Sequence, residues 1–251
     1  MKEPKVYLIT NRTRPMRRTI VAALLLLTAS GPALSQPRAV IELFTSQGCS
    51  SCPPADKMMR SWAKDPSLIA LSLPVDYWDY LGWKDTLASP SFTQRQRAYS
   101  QVRGDRAVYT PQIVVDGVLH AVGSNDEEVR RAIAFAGARA SVLTVPVAIS
   151  GREGTYRVTL GKTTSRGEIW VVPVEREAQV VIERGENTGQ TVTYSNVARG
   201  IRKLADYDGA ATTLPLKAED VSAAGADSFV VLVQATTGGK PGAILGAAMQ
   251  K

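Results

Sequence analysis

The chain has 251 residues, 44% of them hydrophobic and 21% charged. That balance suits one large or two ordinary domains with a proper core and excludes disorder, a collagen-like rod and a disulfide-stapled miniature. Lys and Arg number 30 against 23 Asp and Glu, a net +7, which would favour a polyanionic partner if the charge lay on the folded surface.

The charge is concentrated at the start. Arg17 and Arg18 precede the apolar run Ile20–Ala29, and Ala33-Leu-Ser35 supplies a small-x-small cleavage site. This is the layout of a secretory signal peptide, expected over residues 1–35; an uncleaved anchor and a buried helix are the alternatives. The run falls short of the roughly 20 apolar residues that a spanning helix needs, so no permanent membrane span is expected after cleavage. Met16 is a natural start for such a leader, which makes residues 1–15 an upstream extension. Loss of the leader removes six positive charges and one negative, taking +7 to +2. The mature chain is then a poor candidate for nucleic acid, and its expected location is the periplasm or outside the cell.

Ala39–Phe44 reads as a buried strand. It leads into Gly48-Cys49-Ser50-Ser51-Cys52-Pro53, and Ala55, Met58, Met59 and Trp62 follow at the spacing of one helical face. The order is strand, Cys-x-x-Cys, helix. Cys49 and Cys52 are the chain's two cysteines. A passive staple in an exported protein is one reading, although closing so short a loop stabilises by only about 2 kcal/mol. Redox exchange is the leading reading, because a thiolate at a helix start is favoured by the helix dipole and by free backbone N–H groups. Metal binding is the third: Cys49 and Cys52 with His120, the one histidine, would suit Cu(I), a soft ion. His120 also fits an ordinary surface or core role.

Residues 76–109 form a long insertion that carries Tyr77, Trp78, Tyr80, Trp83, Phe92, Tyr99 and Tyr109, seven of the 16 aromatics. The leading reading is a helical subdomain with its own small core, with Ser89-Pro90 starting a helix that runs to about Val102. The other is an aromatic cover over the cysteines; Asp76 and Asp79 are assigned no catalysis. After Thr110-Pro111, Gln112–Gly117 and Val118–Val122 read as a strand pair. A helix over Asn125–Ala138 follows, capped by Asn125 with Glu128 in a capping-box position, and striped with Val129, Ala132, Ile133 and Ala136. From Val142 onward the pattern alternates in short strands at 142–149, 156–160, 169–172, 180–182, 191–194 and 229–233, which suggests a β-sandwich. Gly242 and Gly246 read as turn and packing residues.

Residues 38–140 resemble the thioredoxin superfamily, through Cys49-x-x-Cys52 after a strand and Thr110-Pro111 in the place where that family keeps a cis-proline. Glu42–Asp56, Val75–Asp85 and Tyr109–Gly117 are similar to the DUF1223 family of secreted bacterial thioredoxin-like proteins, a resemblance that spans the mature chain. It implies an α/β thioredoxin-like domain over 36–141, with a mixed sheet, flanking helices and the insertion, ahead of the all-β sandwich-like domain over 142–251. It also implies roles. Cys49 would be the exposed attacking thiolate and Cys52 the buried resolving thiol. Glu42 would stand for the family's buried carboxylate that moves a proton for the resolving thiol, unless it is an exposed edge residue. Thr110 and Pro111, the latter cis or an ordinary trans turn proline, would line the substrate with Trp78. Ser50-Ser51 matches neither the reductant nor the oxidant branch, and Pro53-Pro54 is expected to shorten the helix toward Cys52. The leading function is an exported thiol–disulfide oxidoreductase acting on protein or peptide thiols through the Cys49–Cys52 disulfide, with no further cofactor and a separate redox partner. A Cu(I) metallochaperone and a non-catalytic binding module are the alternatives.

Overall fold

The structure, a computed structural model, describes residues 1–2 and 36–250. The expected leader therefore lies outside the described residues, Met1 and Lys2 aside. The first elements are β1 (Ala39–Thr45), α1 (Pro53–Trp62), β2 (Leu68–Pro74), a 3-10 turn (Asp79–Leu81) and α2 (Pro90–Arg103). Then come β3 (Gln112–Val115), β4 (Leu119–Val122), α3 (Asp126–Gly137), β5 (Val147–Ser150), β6 (Arg157–Leu160) and β7 (Gly167–Val181). The chain ends through β8 (Thr191–Ala198), β9 (Arg202–Tyr207), β10 (Thr212–Pro215), a short α4 (Ala218–Val221), β11 (Ser228–Thr237) and β12 (Lys240–Met249). Among the described residues no helix is long and apolar enough to cross a membrane.

β1 is buried at every position because it lies between β2, which it pairs in parallel, and β3, which it pairs antiparallel. Its side chains alternate between two cores, as the two-residue period of a strand requires. Ala39, Ile41 and Leu43 pack with Ala55, Met59 and Trp62 of α1 and with Val129 and Ile133 of α3. Val40 and Phe44 pack on the other face with Phe92 and Tyr99 of α2. The helix ends follow their capping residues. Ser89 Oγ accepts from the Ser91 N–H, and Asn125 Oδ1 accepts from the Glu128 N–H at 3.1 Å.

Two expectations are corrected by packing. The segment 76–109 has no separate core: Phe92 and Tyr99 enter the main core, and α2 roofs the sheet. The strands after 142 do not form a separate sandwich either. The outer edge of β2, which β1 leaves unpaired, is taken by β8 in parallel, meeting at Ser72 and Val197. The main sheet runs β12-β11-β7-β8-β2-β1-β3-β4, with β9 also on β7. Ser72 Oγ donates to the Ser195 carbonyl at 2.8 Å across this seam, and Asn196 Nδ2 donates to the Ala70 carbonyl at 2.9 Å. Val172, Val174, Val230 and Leu232 share one core with Phe44 and Leu71. Sandwich packing does occur locally. The sheet β10-β6-β5 lies on the opposite face of β7, β11 and β12 through Val158, Leu160, Val171, Phe229 and Val231.

Candidate functional site

Thr45 ends β1, and the next residues turn back on themselves. Gly48 N–H donates to Ser46 Oγ at 3.1 Å, Cys49 N–H to the Ser46 carbonyl at 3.2 Å and Cys52 N–H to the Cys49 carbonyl at 3.1 Å. Cys49 and Cys52 are joined by a disulfide within this turn. Pro53-Pro54 does not shorten the helix. Pro53 is its first residue, where a missing N–H costs no helical bond, and the first helical bonds run from Ala55 and Asp56 N–H to the Cys52 carbonyl at 2.9 and 3.1 Å.

The Thr110–Pro111 bond is cis. Gly123 shows how closely this loop packs on the motif's helix. A Cβ on Gly123 would stand 2.8 Å from Leu43 Cδ1, 3.2 Å from Pro111 Cβ and 3.3 Å from Ala55 Cβ. Trp78 bridges the two loops: its Nε1–H donates to Thr110 Oγ1 at 2.8 Å, and its backbone and Cβ press on Gly48. Tyr80 stacks on Trp78 at 6.3 Å and is 76% exposed, which extends an aromatic surface outward from the motif. Trp78 thus links the cysteine turn to Thr110, and Gly123 packs against both Pro111 and the helix that follows Cys52.

Three expected placements change. Cys49 is not exposed: it is 4% accessible, and Cys52 is fully buried. Glu42 is buried, but on the wrong side. It lies between Ile41 and Leu43, which face α1, so it faces α2. There Arg95 Nε donates to Oε1 at 2.7 Å and Tyr99 Oη to Oε2 at 2.6 Å. It is one member of a buried ion pair extended by Gln234, not a proton donor beneath the cysteines. His120 is held away from them on β4, with Nδ1 against Tyr109 Oη at 2.9 Å and Nε2 against Asp105 at 3.3 Å. Burial lowers its pKa. Among the described residues no three His, Cys, Asp or Glu side chains are grouped to hold a metal ion, so the Cys49, Cys52 and His120 set does not assemble.

A different acid stands one helical turn after Cys52. Cys52 already has helical backbone angles (φ −80°, ψ −36°), and Asp56 follows one turn later on the same face. Helical side chains lean back toward the preceding turn, which aims the Asp56 carboxyl at the motif. Asp56 is 2% accessible. Its Oδ1 accepts from Thr45 Oγ1 at 2.8 Å, while Oδ2 is buried without a hydrogen-bond partner among the described residues. Desolvation outweighs that hydrogen bond, and nearby Asp85 adds repulsion, so the carboxyl is pushed up to about 8. Asp85 is raised to about 6 by burial, though it accepts from the Gln47 and Leu87 N–H groups. The sequence signal for Asp56 was its place four residues after Cys52, inside an apolar stripe.

The motif is also held from a distant part of the chain. In the loop between β7 and β8, Asn187 is 2% accessible and its Nδ2 donates to both the Gln47 and the Cys49 carbonyls at 2.9 Å. Beside it, Glu186 Oε2 accepts from the Ser50 N–H at 3.3 Å. In the sequence Gly185-Glu-Asn187 reads only as a turn between strands, because the partners of Glu186 and Asn187 stand 136 to 140 positions away.

A family described as a protein of unknown function (DUF1223) matches residues 40–234. A crystal structure of a protein from Agrobacterium tumefaciens is similar at a TM-score of 0.77 and 32% identity, over 85% of this chain and 94% of that one. HBP35 of Porphyromonas gingivalis, at a TM-score of 0.54 and 12% identity, is alike in fold alone, over 86% of this chain and 75% of that one. No curated protein matches.

Proposed function

The chain belongs to the DUF1223 family, and we propose that it is an exported thiol–disulfide oxidoreductase of the thioredoxin-like superfamily, acting on protein or peptide thiols. The observation that carries this reading is the Cys49–Cys52 disulfide at a strand-to-helix turn, faced by a cis-proline loop and backed by the buried acid Asp56. The Arg17-Arg18 leader supports an oxidising compartment, the periplasm or the outside of the cell, where such a pair persists.

The chemistry follows from which sulfur is nearer the surface. A client thiolate attacks Cys49 Sγ, forming a mixed disulfide; the Cys49–Cys52 bond breaks and its electron pair goes to Cys52 Sγ. Cys52 is fully buried, so a thiolate there is costly. The Asp56 carboxyl, protonated below about pH 8, supplies the proton and becomes a carboxylate. A second client thiolate then displaces Cys49, and the client leaves with a disulfide while the pair is reduced. In the reverse direction Asp56 removes the Cys52 proton, and Cys52 displaces the client from Cys49. Trp78, Thr110 and Pro111 form the client-facing edge. A separate redox partner resets the pair.

The test is catalysed exchange on an oxidised or reduced model peptide by the purified mature chain. Turnover that Cys49→Ser abolishes is expected; equal rates with wild type and Cys49→Ser would refute the reading. One observation, the burial of Cys49, favours a second reading, in which the disulfide fixes the turn for a binding surface. That reading expects a pair inert to thiols.

A further inference from the structure

Cys49 is the sulfur that a client must reach, yet it is 4% accessible. A thiolate displaces sulfur along the line of the bond that breaks, so its approach to Cys49 opposite Cys52 must be open. Two segments pack on the residues that flank Cys49, Gln47 and Gly48 before it and Ser50 after it. The turn around Trp78–Trp83 packs on Gly48 through Trp78, and Trp83 Nε1–H donates to Gln47 Oε1 at 2.7 Å. The β7–β8 loop reaches the same turn, where a Cβ on Gly185 would stand 3.2 Å from Trp83 Cβ. The two segments therefore meet beside the motif. Glu186 and Asn187 provide the loop's polar hold on the motif, with Asn187 the buried one. Gln190 Nε2 donates to Asn187 Oδ1 at 3.2 Å and orients the amide so that Nδ2 faces both carbonyls.

We propose that Asn187 is a specificity-determining residue of the exchange reaction: it latches the β7–β8 loop over Cys49, so that thiols are discriminated by the room they need. This rests on the reading that Cys49 is the attacked sulfur. A small thiol needs a slight parting of loop and turn, whereas a cysteine within a polypeptide brings backbone on both sides and needs the loop displaced. Releasing the two Asn187 bonds lowers the cost of displacement, and it lowers it most for the bulky thiol. Gly185 and Gly189 flank the latch at φ +82° and +81°, conformations that glycine adopts without strain, which suits them to carry the bend.

The experiment compares second-order rates of reduction of the Cys49–Cys52 disulfide by dithiothreitol and by a reduced cysteine-containing protein, with electrophoretic shift after alkylation as the readout. Wild type, Asn187→Ala and Asn187→Asp are measured, each with its fold checked by circular dichroism. Asn187→Asp keeps the shape and removes the donor, and the charge it adds slows attack by both thiolates and drops out of their rate ratio. In both variants the ratio of the protein-thiol rate to the dithiothreitol rate is expected to rise by about tenfold or more, as the loss of two hydrogen bonds implies. A reactive disulfide whose rate ratio stays at the wild-type value in both variants overturns the latch and leaves the exchange reading standing. A disulfide inert to both thiols in all three proteins overturns both.

Discussion

Replacing Asp56 with Asn tests whether the buried acid is as displaced as its surroundings imply. In the folded chain the carboxyl is held at about 8 against 3.8 for an ordinary aspartate, through desolvation first. The folded state therefore keeps a proton that the unfolded chain has released, and wherever the folded state binds more protons, stability falls as pH rises. The decline starts near the unfolded value, continues to about 8 and is flat above it. Each pH unit in that window costs about 1.4 kcal/mol, so the full effect at pH 7 is on the order of 4 kcal/mol, and relaxation around the site reduces it to about 2–4 kcal/mol. The amide of Asp56→Asn keeps an oxygen for Thr45 and cannot ionise. Urea unfolding of both proteins with the disulfide intact, from pH 4.5 to 8.5, reads the difference directly. Asp85 and Asp116, each raised to about 6 by burial, give both proteins a common slope that cancels. The Asp56→Asn variant should stand within about 1 kcal/mol of wild type at the acid end and exceed it by about 2–4 kcal/mol at pH 7. Parallel stability curves would refute the displaced carboxyl and, with it, Asp56 as the proton store for Cys52.

Other outcomes follow from the same packing. Arg95→Leu leaves Glu42 buried without its cation, which should cost about 3–5 kcal/mol and lower Tm by on the order of 10 °C; the double variant with Glu42→Leu should recover most of it, and an unchanged single variant would contradict the ion pair. Gly246→Ala would put a Cβ 2.2 Å from the Val145 carbonyl oxygen, so urea unfolding should show a loss of about 1–3 kcal/mol; no loss would contradict the close approach of β12 to the β5 segment. Glu186→Gln removes a carboxylate from the Ser50 amide and should make reduced Cys49 about twofold more reactive toward iodoacetamide at pH 7, a gain that about 1 M salt erases; equal rates at low salt would show that the charge is not felt at the sulfur.

The local signals in the chain were legible. The Ser89-Pro90 and Asn125 caps, the α3 stripe, and the order of strand, Cys-x-x-Cys and helix depend on neighbours a few residues apart, and they stand where the sequence put them. Alternation along β1 shows that Glu42 and Leu43 face opposite sides but not which side receives α1, so the proton-moving role that the resemblance implies for Glu42 falls on the face of α2 instead. The strands β5 to β8 and β11 were legible, β7 as two pieces, and β9 and β10 were not; nor was the pairing partner, since an open edge on β2 leaves no mark in the alternation of β8. β12 was missed because Pro241, Gly242 and Gly246 weaken its strand character, although Gly246 is there for the close pass of Val145. Asn187 reads locally as a turn residue and no more, since its hold on the motif depends on two carbonyls about half the chain away.

The central claim, that Cys49 is the sulfur that exchanges with a client and Cys52 the one that resolves, is tested most directly by trapping. Cys52→Ser removes the resolving thiol and leaves Cys49 as the chain's one cysteine. Incubated with an oxidised model peptide and quenched in acid, this variant should accumulate a mixed disulfide through Cys49 that dithiothreitol releases, and Cys49→Ser should accumulate little or none. Equal trapping through Cys52, or none in either variant, would contradict the account.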